Sequence, residues 1–175
     1  MKKLILFLIV ILPVSPIQAQ TSPVDELFEK YSERDGFTTV YISSKMFSLF
    51  AGKAVPEDDI RNIISRLKSI RILTVEDSTL NLNLNFYREL SKKLDLSSYE
   101  ELMAVKEGSD MTKFLIRQKG DIITELLVIT GGPGDNTLIS IKGDLDMKTI
   151  SQISRSAGLE DLEKLESLEN KQPHR

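Results

Sequence analysis

Residues Met111 to Gly143 hold three strand-like segments in immediate succession, and this stretch limits the possible folds more than any other. Lys113 to Arg117 reads KFLIR, Glu125 to Thr130 reads ELLVIT and Thr137 to Lys142 reads TLISIK. Each is rich in Leu, Ile, Val and Phe and short enough for one strand. The connectors are Lys119-Gly120-Asp121 and Gly131-Gly132-Pro133-Gly134-Asp135-Asn136, which carry the residues that turns favour. The pattern predicts an antiparallel meander. Its pleat puts Phe114 and Ile116 on one face with Leu126, Val128, Ile139 and Ile141. Helices must cover that face. The expected class is therefore α+β: a mainly antiparallel sheet with a C-terminal meander of three or four strands, and helices packed on one face.

The covering helices are sought upstream. Val24, Leu27, Phe28 and Tyr31 recur at helical spacing, and Asp35-Gly36 ends that run. FTTVYIS, Phe37 to Ser43, reads as the first strand. A helix follows from Ser44, with Met46, Leu49 and Phe50 as its expected buried stripe and Gly52 as its cap. Pro56 opens the next helix, with acids in its first turn and Ile60, Ile63, Ile64 and Leu67 along one face. Ile70 to Val75 is the second strand, which a βαβ unit would join to the first. Leu80 to Asn85 alternates like a strand. Leu82, Phe86, Leu90 and Leu94 are spaced four apart, however, which favours a helix from about Asn83 to Leu94. Tyr99 to Lys106 reads as a strand leading into the meander. After it, Asp146 is a natural N-cap, with Leu145 and Ile150 placed as a hydrophobic staple.

The N-terminus has a three-part layout. Lys2 and Lys3 precede an apolar run from Leu4 to Leu12, and Pro13 and Pro16 break it before Ile17-Gln18-Ala19. This is the form of a secretory signal peptide, cleaved between Ala19 and Gln20. Nine apolar residues are too few to span a bilayer. The expected division is a signal at 1–19, one α+β domain at 20–158 and an acidic, Leu-rich helical or disordered tail at 159–175. Export to the periplasm or beyond, without a lipid anchor, follows from the signal and from the lack of cysteine. Losing Lys2 and Lys3 leaves 21 basic against 26 acidic residues, since the full chain has 23. That balance disfavours a nucleic-acid partner.

Composition also removes chemistries. With no cysteine and a single histidine, His174, the chain has no thiolate nucleophile, and no histidine triad or clustered histidine metal site fits within the domain. No cofactor is expected. Gly131 to Gly134 leads into a strand rather than a helix, which fits a hairpin turn and not a phosphate loop. Paired carboxylates occur at Asp58-Asp59, Glu100-Glu101 and Asp144 with Asp146, and oxygen-only calcium ligation is open to Asp135-Asn136 or Asp144 with Asp146. Glu101 with Glu125 is the distant pair that a carboxylate hydrolase would need to join. Phe47 lies off the expected stripe of its helix, as a docking patch would. Arg88, Lys92 and Lys93 form a basic face able to meet an acidic surface. Asp77-Ser78-Thr79 matches a short O-glycosylation sequon of exported bacterial proteins, at Ser78 or Thr79.

Several blocks together resemble a known family. They are Val24 to Tyr31 (VDELFEKY), Gly36 to Val40 (GFTTV), Ser44 to Phe47 (SKMF) and Leu138 to Asp146 (LISIKGDLD). The chain resembles domain of unknown function 4252, small exported proteins of Bacteroidetes-type bacteria, over nearly all of its mature length. The resemblance implies an envelope location and carries no catalytic residues with it. Some members are lipoproteins, from which this chain departs by lacking the cysteine. The expected role is a non-catalytic binding or interaction module, whose partner is another envelope protein or an unknown ligand. The alternatives are a structural or chaperone-like envelope protein acting through the tail and, less favoured, a carboxylate-based hydrolase.

Overall fold

The computed structural model describes residues 22–51 and 58–150, without the side chains at 50–51 and 58–60. The expected signal with Ala19 and Gln20, the Gly52 cap, Pro56 and the tail at 159–175 lie outside these residues.

The first helix, α1 (Pro23–Tyr31), begins where its sequence dictates. The Ser22 hydroxyl accepts from the Val24 N–H, Pro23 sits in the first turn, and Asp25 and Glu26 face the positive end of the helix dipole. All four residues of the expected stripe are buried. Strand β1 (Phe37–Ser43) has the expected bounds and runs directly into α2 (Ser44–Ala51). Helix α3 (Asp58–Arg66) passes without a break into β2 (Leu67–Val75), so Leu67 belongs to the strand rather than to the helical stripe. The ambiguous segment from Leu80 resolves as two short helices, α4 (Ser78–Asn81) and α5 (Phe86–Ser91), in place of the single helix expected from Asn83 to Leu94. Caps divide it. Asp77 accepts from the Thr79 and Leu80 N–H groups, and Asn85 accepts from that of Arg88. A 3-10 turn (Leu96–Ser98) precedes four successive strands, β3 (Glu100–Glu107), β4 (Asp110–Lys119), β5 (Ile122–Gly131) and β6 (Thr137–Leu145).

The six strands form one antiparallel sheet in the order β1-β2-β6-β5-β4-β3. The α+β class and the meander stand. The βαβ unit does not, because β1 and β2 pair antiparallel through a connection that holds two helices. The helices also cover both faces rather than one. Phe114, Ile116, Leu126, Val128, Ile139 and Ile141 do share a face, and Phe47 of α2, Ile63 and Ile64 of α3 and Ile150 pack against it. The opposite face carries Leu73, Leu115, Leu127, Ile129 and Leu138 beneath α1 and α5. The cause is β5, which is apolar on both sides, so each side needs a cover.

Helix α2 reverses an expectation. Phe47 is the buried residue among its described side chains, while Met46 and Leu49 are 46% and 65% exposed. In a short helix with apolar residues at most positions, spacing alone does not select the face. At 146–150 the expectation holds. Asp146 accepts from the Thr149 N–H at 2.7 Å, and Leu145 and Ile150 are buried in the same cluster.

Leu127 is fully buried at the centre of the sheet. Leu127→Ala should lower stability by about 2–5 kcal/mol in urea or guanidinium unfolding, through lost transfer energy and a cavity.

Candidate functional site

A row of charged side chains crosses the face under α1. Lys142 of β6, Glu125 of β5 and Arg117 of β4 are direct register partners. The Glu125 side chain is only 3% exposed. Ser140 donates to its Oε1 and Tyr99 to its Oε2, each at 2.8 Å. Arg117 Nη1 lies 3.4 Å from Oε2 and Lys142 Nζ 3.9 Å from Oε1. Lys142 reaches on to Asp25 of α1 at 3.3 Å, and Asp25 also holds Arg71 at 2.7 Å. The Arg117 guanidinium lies 4.3 Å from the centre of the Tyr99 ring and donates to its hydroxyl, while its buried Nε has no partner among the described residues.

This arrangement neutralises a carboxylate more than it presents one. Both oxygens of Glu125 accept hydrogen bonds, and two cations flank them, which is the condition for holding a buried charge. Burial, and then the Glu125 charge, push the Tyr99 phenol well above its ordinary value, so it stays a proton donor. Glu101 is not brought to Glu125. It is exposed on β3 and paired with Lys113 at 2.5 Å.

The glycine-rich loop is the β5–β6 connection, and its glycines answer to close packing. A Cβ on Gly132 would stand 2.0 Å from Asp110 Oδ1, and the Gly134 N–H donates to that same oxygen. Asn136 is fully buried and ties the loop to the helices. Its Oδ1 accepts from the Phe86 N–H, and its Nδ2 donates to Asn81 Oδ1 and to the Gly132 and Leu84 carbonyls. Among the suggested calcium ligands, Asn136 is thus committed inward. Asp135 accepts from Thr137, Asp144 pairs with Lys68, and Asp146 pairs with Arg66. Among the described residues no cluster of three or more acidic or histidine side chains is placed to hold a metal ion. Ser78 and Thr79 are exposed in the first turn of α4.

Beside this loop lies an open cleft of about 590 Å³. Arg88, Lys92 and Lys93 line it together with Asn83, Asn85 and Pro133. The structure therefore gathers the three basic residues of the expected face around one concavity. Glu89, the acid on the same wall, is already bound by Lys30 and by the Tyr31 hydroxyl. Those hydrogen bonds hold its carboxyl below the usual range against the opposing effect of burial. Lys93 meets Glu26 at 3.2 Å, whereas Arg88 and Lys92 have no acidic partner among the described residues. A second cavity, of about 470 Å³, opens between α2 and α3 and includes Phe47, Ile64 and Lys68. Neither Glu101 nor Glu125 lines either cavity. No helix among the described residues is long and apolar enough to cross a membrane.

A family model, Domain of unknown function (DUF4252), matches residues 31–153. The chain belongs to the DUF4252 family. In this DUF4252 chain the match runs from the last residue of α1 to beyond β6 and takes in all six strands, the charged row except Asp25, and the cleft. No curated protein and no solved structure matches it.

The raised Tyr99 pKa fixes the sign of one pH effect. An unfolded tyrosine ionises near pH 10, and the folded one retains its proton to higher pH. Its contribution is complete below about pH 10 and is lost as pH rises beyond that. Wild type should therefore lose stability more steeply than Tyr99→Phe above pH 10, measured by chemical unfolding at stepped pH. Parallel curves would remove the phenol's role.

Proposed function

We propose that this protein is an exported, non-catalytic binding module of the bacterial envelope, and that the cleft between α5 and the β5–β6 loop takes an anionic group. The observation that carries this reading is the cleft's charge. A chain of net charge −3 places three cations around one concavity, and two of them are free of acidic partners among the described residues. Long-range attraction to an anion is strongest where a low-dielectric wall backs the cations, and Leu82, Leu84 and Pro133 supply the apolar part of the lining. The anionic group belongs to another envelope protein or to a small ligand. The carboxylate-hydrolase alternative has less support, since Glu125 is held by its own donors and lies apart from Glu101.

Export is supported by the N-terminal pattern of Lys2, Lys3 and the apolar run from Leu4 to Leu12. Protein recovered from the envelope fraction of its native cells should begin at Gln20 by intact mass and N-terminal sequencing. Recovery with Met1 retained, in the cytoplasm, would remove the export reading.

Binding is tested with two defined probes, an oligoglutamate peptide and an oligouronide, titrated calorimetrically against the mature protein. One of them should bind saturably, weaken as salt rises and lose at least about tenfold in affinity with Arg88→Glu plus Lys92→Glu. Preference for the peptide points to a protein partner, and preference for the uronide to a glycan. Equal binding by the double variant, with its fold intact by circular dichroism, would exclude the cleft.

A further inference from the structure

The sheet has two edges, and they are built differently. The β3 edge carries Glu100, Glu101, Lys106 and Glu107, and its pairing with β4 is broken by a bulge between Glu101 and Met103. Charge and bulges are the usual means of keeping a strand edge from pairing with another chain. The β1 edge has neither. Phe37 to Ser43 contains no charged residue and no proline, and its register with β2 runs unbroken over all seven residues. Thr38, Thr39, Val40 and Tyr41 are all exposed, Tyr41 by 61%.

The direction of its free backbone groups follows from two hydrogen bonds. The Glu76 N–H donates to the Gly36 carbonyl, so Gly36 faces β2, while the Val75 N–H donates to the Asn136 carbonyl, away from β1. Alternation along an antiparallel ladder then turns Thr38, Val40 and Ile42 toward β2. Phe37, Thr39, Tyr41 and Ser43 turn their N–H and C=O groups outward.

We propose that a second copy of this chain occupies the β1 edge, joining antiparallel about a two-fold axis at Val40 to make one continuous sheet across a homodimer. That centre pairs Thr39 with the partner's Tyr41 and Phe37 with the partner's Ser43, so every outward backbone group finds a partner. Centring on Thr39 or Tyr41 leaves outward residues unpaired. The same two-fold sets the ends in opposition. Asp35, just before the strand, meets the end where the partner's Lys45 lies, and the reverse holds at the other end. Both residues are exposed, and neither has an ion-pair partner among the described residues. A strand with no charge of its own and opposite charges at its two ends is complementary to itself, as an isologous interface requires. Val40 meets its symmetry mate at a non-hydrogen-bonded position, where Cα atoms approach to about 4.5 Å.

The absence of cysteine allows a direct test on the mature protein. Light scattering after size exclusion should give twice the chain mass for wild type. Val40→Cys should oxidise to a covalent dimer far faster than Ala104→Cys, an exposed position on the β3 edge. Thr39→Pro deletes an outward N–H and leaves the bonds to β2 intact, so it should give a folded monomer. Asp35→Lys should lower the dimer fraction, and Asp35→Lys with Lys45→Asp should restore it. A wild type that stays monomeric at all concentrations would overturn the proposal. So would equal oxidation of the two cysteine variants, or a dimer unchanged by Thr39→Pro.

Discussion

Leu127 and Val128 are neighbours on β5, point to opposite sides of the sheet, and are both buried. A strand of that kind cannot rest on one layer of helices, because half of its side chains would face water. The architecture follows from this need for two covers. Helices α1 and α5 close one side, and α2, α3 and the turn at 147–150 close the other. The connections follow too. The chain must cross from one face to the other, and it does so through β1 and β2, the two strands outside the meander.

Much of this was legible in the sequence. The shared face of Phe114, Ile116, Leu126, Val128, Ile139 and Ile141 came from the two-residue pleat of three adjacent strands, and the limits of β1 came from a β-branched run between Gly36 and Ser44. The second cover was also present in ELLVIT, whose lack of alternation marks a strand buried on both faces. Helix α2 was not legible, since Met46, Phe47, Leu49 and Phe50 spread apolar character around a short helix. Nor was the split between α4 and α5, which turns on Asp77 and Asn85 choosing backbone N–H partners. An Asx cap competes with helix continuation on a scale of about 1 kcal/mol, below what spacing reveals.

The candidate site was legible in parts. Arg88, Lys92 and Lys93 could be read as one basic face from their spacing, but Gly132 and Pro133 of the opposite wall come from a loop distant in sequence. In the sequence Glu125 stood out only as a distant carboxylate that a hydrolase would pair with Glu101. Only the register shows that Arg117 and Lys142 flank it and that Ser140 and Tyr99 supply its hydrogen bonds. Polar residues scattered among apolar runs on adjacent strands were the available signal, since the pleat sets Glu125 on the same face as Leu127. The row is a conditional structure: each charge is tolerable only while its neighbours are present.

Strand β6 lies between β2 and β5, so it alone joins the β1–β2 pair to the β3–β4–β5 meander. It is also the last strand among the described residues. During synthesis, residues up to 131 can assemble only two separate half-sheets, each with an open edge. The barrier to folding therefore includes closing long loops, and the two halves fuse in one late, cooperative step when residues 137–145 emerge. A chain built in this order holds two partial sheets with open edges, and gains its continuous core only once residue 145 is in place.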